Sequence, residues 1–111
     1  MEAFEFDKQV GRLPAGRDGF DHFFAAERLS LTVVRWVAGT VDDQTPHAED
    51  EVYYVVRGRG RVTVAGESSA VGPGSIVYVP AMVEHRFEDI AEDLEVLVFW
   101  APPRRMPATD G

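Results

Sequence analysis

The residues of this 111-residue chain best suited to chemistry are its three histidines, His22, His47 and His85, and the acidic run His47-Ala48-Glu49-Asp50-Glu51. There is no cysteine, which excludes a disulfide framework, a thiolate metal site and a cysteine nucleophile. Any bound metal must then rest on imidazole, carboxylate or water, a donor set that favours hard or borderline ions. No glycine-rich loop opening a helix, Ser-His-Asp order or catalytic lysine signature is present, so a reaction here would be carried mainly by a metal.

Charge narrows the partners. The formal net charge is −8, whereas a nucleic-acid binder needs clustered lysine and arginine to displace counterions from phosphates. The densest basic stretch, Arg57-Gly58-Arg59-Gly60-Arg61, reads as solvated charge bordering a strand-turn-strand junction. No apolar run is long enough to span a bilayer, and Met1-Glu2-Ala3-Phe4-Glu5-Phe6-Asp7 is acidic where a signal peptide would be basic and then apolar. The expectation is a cytoplasmic protein with no nucleic-acid or membrane partner and a small molecule as its ligand.

The elements that must position these residues are short strands. Apolar residues alternate or run briefly between glycine, proline and aspartate, and helical periodicity is scarce. Strands are expected over Glu5 to Val10, Leu29 to Ala38, Val52 to Val56, Gly60 to Ala65, Glu67 to Val71, Ile76 to Val79, His85 to Asp89 and Glu95 to Ala101. Residues 15–24 read as a loop, with a short helical turn at Phe20 to Ala26. The prolines after Ala101 mark 102–111 as a flexible tail. So many strands in so short a chain imply one all-β sandwich or barrel, its core over 29–101, with an N-terminal strand and loop over 1–28. Strand parity gives Glu51, Tyr53 and Val55 one face and Val52, Tyr54 and Val56 the other. Both are apolar, so the outer one needs cover from the N-terminal strand or a partner subunit.

Two stretches carry a family resemblance. Gly39 to Gly58 resembles the first cupin motif, in which a glycine, a His-x-His pair, a glutamate and a second glycine follow in fixed order. Counting from Gly39 puts the histidine slots at Thr45 and His47, and counting back from Gly58 puts the glutamate at Glu51. Gly74 to Asp89 resembles the second motif, with Pro80 and His85 in place, Met82 where a glycine is usual and Asp89 at the asparagine slot. The resemblance implies a single-domain cupin jelly-roll β-barrel, a homodimer, and one divalent metal ion held by His47, Glu51 and His85. Two imidazoles and a carboxylate suit Fe, Zn, Mn or Ni without choosing among them.

Thr45 stands where the family usually has another histidine, which leaves a more open coordination sphere with Gln44 and Glu49 as nearby substitutes and Thr45 itself expected among the pocket-lining residues. Glu49 has the parity of His47 and Glu51, yet its place in an acidic turn reads as solvated. Tyr53 and Phe87 lie two residues beyond Glu51 and His85, and parity points them toward the ligands as pocket lining. In the strand around Arg35 and Trp36 one of the pair faces inward; if Arg35, the pocket would suit an anion. Asp89 reads as a turn cap and His22 as a surface or loop residue. The leading functional expectation is a metal-dependent enzyme acting on a small molecule, of dioxygenase, isomerase or cyclase type. The alternative is a non-catalytic cupin module binding a small ligand or a metal.

Overall fold

In a computed structural model, residues 1–104 are described, Asp43 and Gln44 by their backbone alone. One helical turn, α1 (Phe6–Val10), precedes seven strands: β1 (Gly19–Ala25), β2 (Ser30–Trp36), β3 (Asp42–Gln44), β4 (Asp50–Val64), β5 (Glu67–Val71), β6 (Ile76–Val79) and β7 (His85–Ala101). The order is β1-β2-β7-β4-β5, with β3 added to β7 and β6 to β4, and every described pair is antiparallel. The expected all-β jelly roll is therefore what this chain forms.

The two long strands explain how it closes. β4 and β7 pair from Asp50↔Ala101 to Val64↔His85, and the register shifts repeatedly between Val55 and Arg61. Bulges of this kind bend a ribbon and increase its twist. Gly58 has φ +94°, and a Cβ there would collide with the Asp93 carbonyl, so glycine lets the two backbones cross closely. Beyond the bend the ribbon folds back over itself. Its first half joins β1, β2 and β6, and its second half joins β3 and β5. The inner faces then meet around Val55, Val62, Phe87, Leu94, Val96 and Val98, each at most 3% exposed.

Several expectations need correction. Gly58 and Gly60 bend one 15-residue strand, so β4 is not two strands joined by a turn, and β7 likewise runs unbroken through the segment expected to separate two strands. Within it Asp89 has φ +49° at the bulge and is exposed, so it does not cap a turn. The segment Glu5 to Val10 is helical from Phe6, because Phe6, Val10 and Leu13 fall on one helical face and cover Val33 on the outside of β2. Residues 19–25 form β1, paired to β2, instead of a loop with a helical turn. β3 adds a strand to those expected. The arginines of the basic stretch sit on the bend beside carboxylates: Arg57 bonds Glu95 and Asp7 at 2.6 Å each. Of the expected tail, 102–104 fold back, with Arg104 N–H donating to Ser30 Oγ at 2.8 Å, while 105–111 lie outside the described residues.

Candidate metal centre

Glu51, His47 and His85 arrive from different places. Glu51 lies near the start of β4, His85 is the first residue of β7, and His47 is in the loop between β3 and β4. Laid flat, the ribbon would put Glu51 roughly 40 Å from His85, which pairs with Val64 thirteen residues further along β4. Folding the ribbon over brings His85 Nε2 to 3.1 Å from Glu51 Oε2. His47 is placed by the loop after β6, where Met82 N–H donates to the His47 carbonyl at 2.6 Å. One donor atom from each of the three side chains then lies within 4.8 Å of the others.

The hydrogen bonds around these atoms define their states. His85 Nδ1 is 3.0 Å from the Val83 carbonyl. A carbonyl only accepts, so Nδ1 carries the proton and Nε2 points at Glu51. Tyr53 OH donates to Glu51 Oε2 at 2.8 Å and lies 3.1 Å from His85 Nε2. The other carboxylate oxygen, Glu51 Oε1, is 3.7 Å from His47 Nε2 and buried without a hydrogen bond among the described residues. A buried carboxylate oxygen is costly to leave unsatisfied. A carboxylate between two imidazoles, with one of its oxygens orphaned and one imidazole's tautomer fixed, fits a divalent cation.

Electrostatics separates the two imidazoles. For His85, burial opposes the cation, but the Glu51 hydrogen bond, the Val83 carbonyl and the charges of Glu51 and Asp42 outweigh it and raise the pKa above 6.5. For His47, burial dominates and lowers the pKa; Arg104 and His85 act in the same direction, against Glu51 and Glu49.

Beside the three side chains is a cavity of about 260 Å³, walled mainly by Trp36, Tyr53, Val98 and Trp100, with His22, His47 and Arg104 as polar members. Thr32 organises one wall: its Oγ1 accepts from Trp100 Nε1 at 2.8 Å and is 2.6 Å from His22 Nδ1.

Tyr53 lies both on the cavity wall and at Glu51. Phe87 is fully buried and stacks on Trp36 at 4.7 Å, inside the core. Thr45 is exposed and outside the three-residue cluster, and the Gln44 side chain lies outside the described residues. Glu49 is not in the cluster either; it is only 12% exposed and faces Arg104, so it is no freely solvated turn residue. The inward placement of Arg35 is corrected. Trp36 points into the barrel, while Arg35 bonds Glu95, the Pro14 carbonyl and the Val10 carbonyl on the other face. His22 is a cavity residue and no loop residue. Sequence reasoning left Trp36 and Arg35 as alternatives and missed Trp100 and Arg104; the alternation Val96, Val98, Trp100 was a usable signal for Trp100.

The cupin domain family profile matches residues 32–101, and the chain belongs to that family. It is 45% identical over 103 residues to an uncharacterized protein of Streptomyces coelicolor, covering 93% of this chain and 98% of that one. Among solved structures it is similar to TT1209 from Thermus thermophilus, at 24% identity and TM-score 0.79 over 94% of this chain and all of that one (100%). It is also similar to the DMSP lyase DddQ from Ruegeria pomeroyi, at 23% identity and TM-score 0.72 over 89% of this chain and 54% of that one. Among the described residues no helix is long and apolar enough to cross a membrane.

Proposed function

We propose that this cupin is a metal-dependent enzyme acting on a small molecule, with one divalent ion of the Fe, Zn, Mn or Ni type held by His47, Glu51 and His85. The observation that carries the reading is Glu51 Oε1, a buried oxygen with no hydrogen-bond partner among the described residues, on a carboxylate set between two imidazoles beside a cavity. A bound ion would supply Lewis-acid polarisation of a substrate oxygen, as an isomerase or cyclase requires, or, if it is redox-active, the activation of O₂ that a dioxygenase requires. The chain's residues do the rest. Val83 holds His85 in one tautomer and Tyr53 orients Glu51. Trp36, Val98 and Trp100 exclude water from one side of the cavity. His22, held by Thr32, places on the cavity wall an imidazole able to hold or pass a proton.

Protein purified without chelator is expected to contain close to one transition metal per chain by elemental analysis, and His47→Ala or His85→Ala to remove it. Unchanged metal content in both variants overturns the site. Catalysis requires in addition a turnover that chelation abolishes and the ion restores.

The proposal includes a homodimer. On the outer sheet face, Phe99 and Tyr54 are 40% exposed, Tyr78 58% and Ile76 71%, and register sets them side by side on β7, β4 and β6. α1 covers Val33 but leaves this row open. Light scattering is expected to return a dimer that Tyr54→Glu converts to monomer; a monomeric unmutated chain refutes the pairing.

A further inference from the structure

Arg104 contrasts with the other arginines that touch the barrel. Arg35 uses Nε, Nη1 and Nη2 on three different partners, and Arg57 places Nε and Nη2 against two carboxylates at 2.6 Å. At Arg104, among the described residues, only Nη1 is engaged, by Glu49 at 3.4 and 3.5 Å, a length at which a hydrogen bond is weak. Its backbone is nevertheless fixed by Ser30, which is fully buried, and its guanidinium lies 5.4 Å from the centroid of Trp100. A planar fork of donors held over an indole at the edge of an apolar cavity matches a carboxylate in shape and charge. Arg104 is the arginine of the cavity wall, whose other lining residue with a charged side chain is Asp42 on β3.

We propose that the cavity takes a small molecule with a single carboxylate and a flat apolar body, the carboxylate on Arg104 and the body against Trp100 and Trp36. This rests on reading the cavity as the small-molecule site, and it names the substrate class of that site. The volume of about 260 Å³ sits just below the range of drug-sized ligand pockets, which suits one ring with a short substituent. The incoming carboxylate takes the Nε–Nη2 edge of the guanidinium as a bidentate partner, while Glu49 keeps its loose contact at Nη1.

Trp36 and Trp100 are the only tryptophans of the chain and both line the cavity, so intrinsic fluorescence reports on its occupant. Full-length protein would be titrated with benzoate, with its neutral counterpart benzyl alcohol and with inorganic phosphate, in metal-free and zinc-loaded forms. Benzoate is expected to bind saturably and at least tenfold more tightly than either of the others. Arg104→Gln is expected to weaken benzoate at least tenfold while leaving benzyl alcohol unchanged, and Arg104→Lys to fall between. Equal binding of benzoate and benzyl alcohol, phosphate binding as tight as benzoate, no saturable benzoate signal, or an unchanged benzoate affinity in Arg104→Gln overturns the inference. If Arg104→Gln does not fold, the comparison of three ligands on the unmutated chain decides. Zinc uptake without ligand discrimination keeps the metal reading and refutes this one; discrimination without zinc uptake does the reverse.

Discussion

The two sides of Glu51 differ in how completely they are finished. On the His85 side, Glu51 Oε2, Tyr53 OH and both ring nitrogens of His85 have partners between 2.8 and 3.1 Å, and the Glu51 and His85 side chains are 1% exposed. On the His47 side, Glu51 Oε1 has no hydrogen bond among the described residues, the His47 imidazole is at 3.7 Å and 12% exposed, and the cavity opens beyond it. The closed side comes from strand residues locked by register. The open side comes from a loop, from β1 and from the residues after β7. The barrel thus presets one half of a binding centre rigidly and leaves the other half to be completed by what enters.

The largest test of that contrast removes the closed side's anchor without changing its shape. Tyr53→Phe takes away the hydroxyl on Glu51 Oε2 and is expected to lower zinc affinity by about ten- to hundredfold. Trp100→Phe on the open side should leave zinc affinity within about twofold, the change expected when no group bonded to the ligands is altered. Competition titration with a chromophoric chelator reads both, and equal losses would erase the distinction.

A pH titration sharpens it. Both imidazoles must be neutral to hold an ion, and the raised pKa makes His85 the one that takes a proton first as pH falls. Zinc affinity should therefore decline from above pH 6.5 downward, by about tenfold per unit once His85 is protonated. In the metal-free chain the sign inverts. A raised folded pKa stabilises below the unfolded value of 6.5 and that contribution is lost as pH rises through the folded pKa, so the His85 share of stability falls on going alkaline. His47, with its pKa lowered, contributes stability above 6.5 that disappears as pH drops. Thermal melts with and without zinc should thus diverge as pH rises above 6.5, and parallel curves would show that His85 does not couple to the ion.

The smallest effect concerns the loop joining the two sides. Met82 has φ +64° where the second cupin motif usually has glycine, and its N–H holds His47. Met82→Gly relieves a left-handed side chain, worth about 1–2 kcal/mol, and adds unfolded-state entropy that offsets about half of this. A net gain of about 0.5–1 kcal/mol in denaturant unfolding is expected, with zinc affinity preserved.

Much of the closed side was legible in the sequence because regular strands report themselves. The glycines at 39 and 58 fixed Glu51, and Pro80 fixed the approach to His85. The open side was less legible for identifiable reasons. β1 is an edge strand with a register shift between His22 and Phe24, so its alternation breaks where it mattered and His22 read as a loop residue. Phe6, Val10 and Leu13 do have helical spacing, but one short turn gives too few repeats to outweigh a strand-like composition. Arg35 and Trp36 are neighbours on one strand, and parity alone does not say which faces in; the pairing of Trp36 with Leu94 does. Arg104 follows two prolines and owes its place to Ser30, 74 residues earlier, a contact with no local signature.

The folded ribbon of β4 and β7 has one further consequence. Glu51 and His85 sit at its opposite ends, and Gly58 lets it double back. An ion bound between them would act as a clasp, holding the two halves of the ribbon against each other, and its binding energy would be folding energy. Heat resistance would then follow the supply of trace metal, and a chelator would loosen the whole barrel well before any substrate was missed.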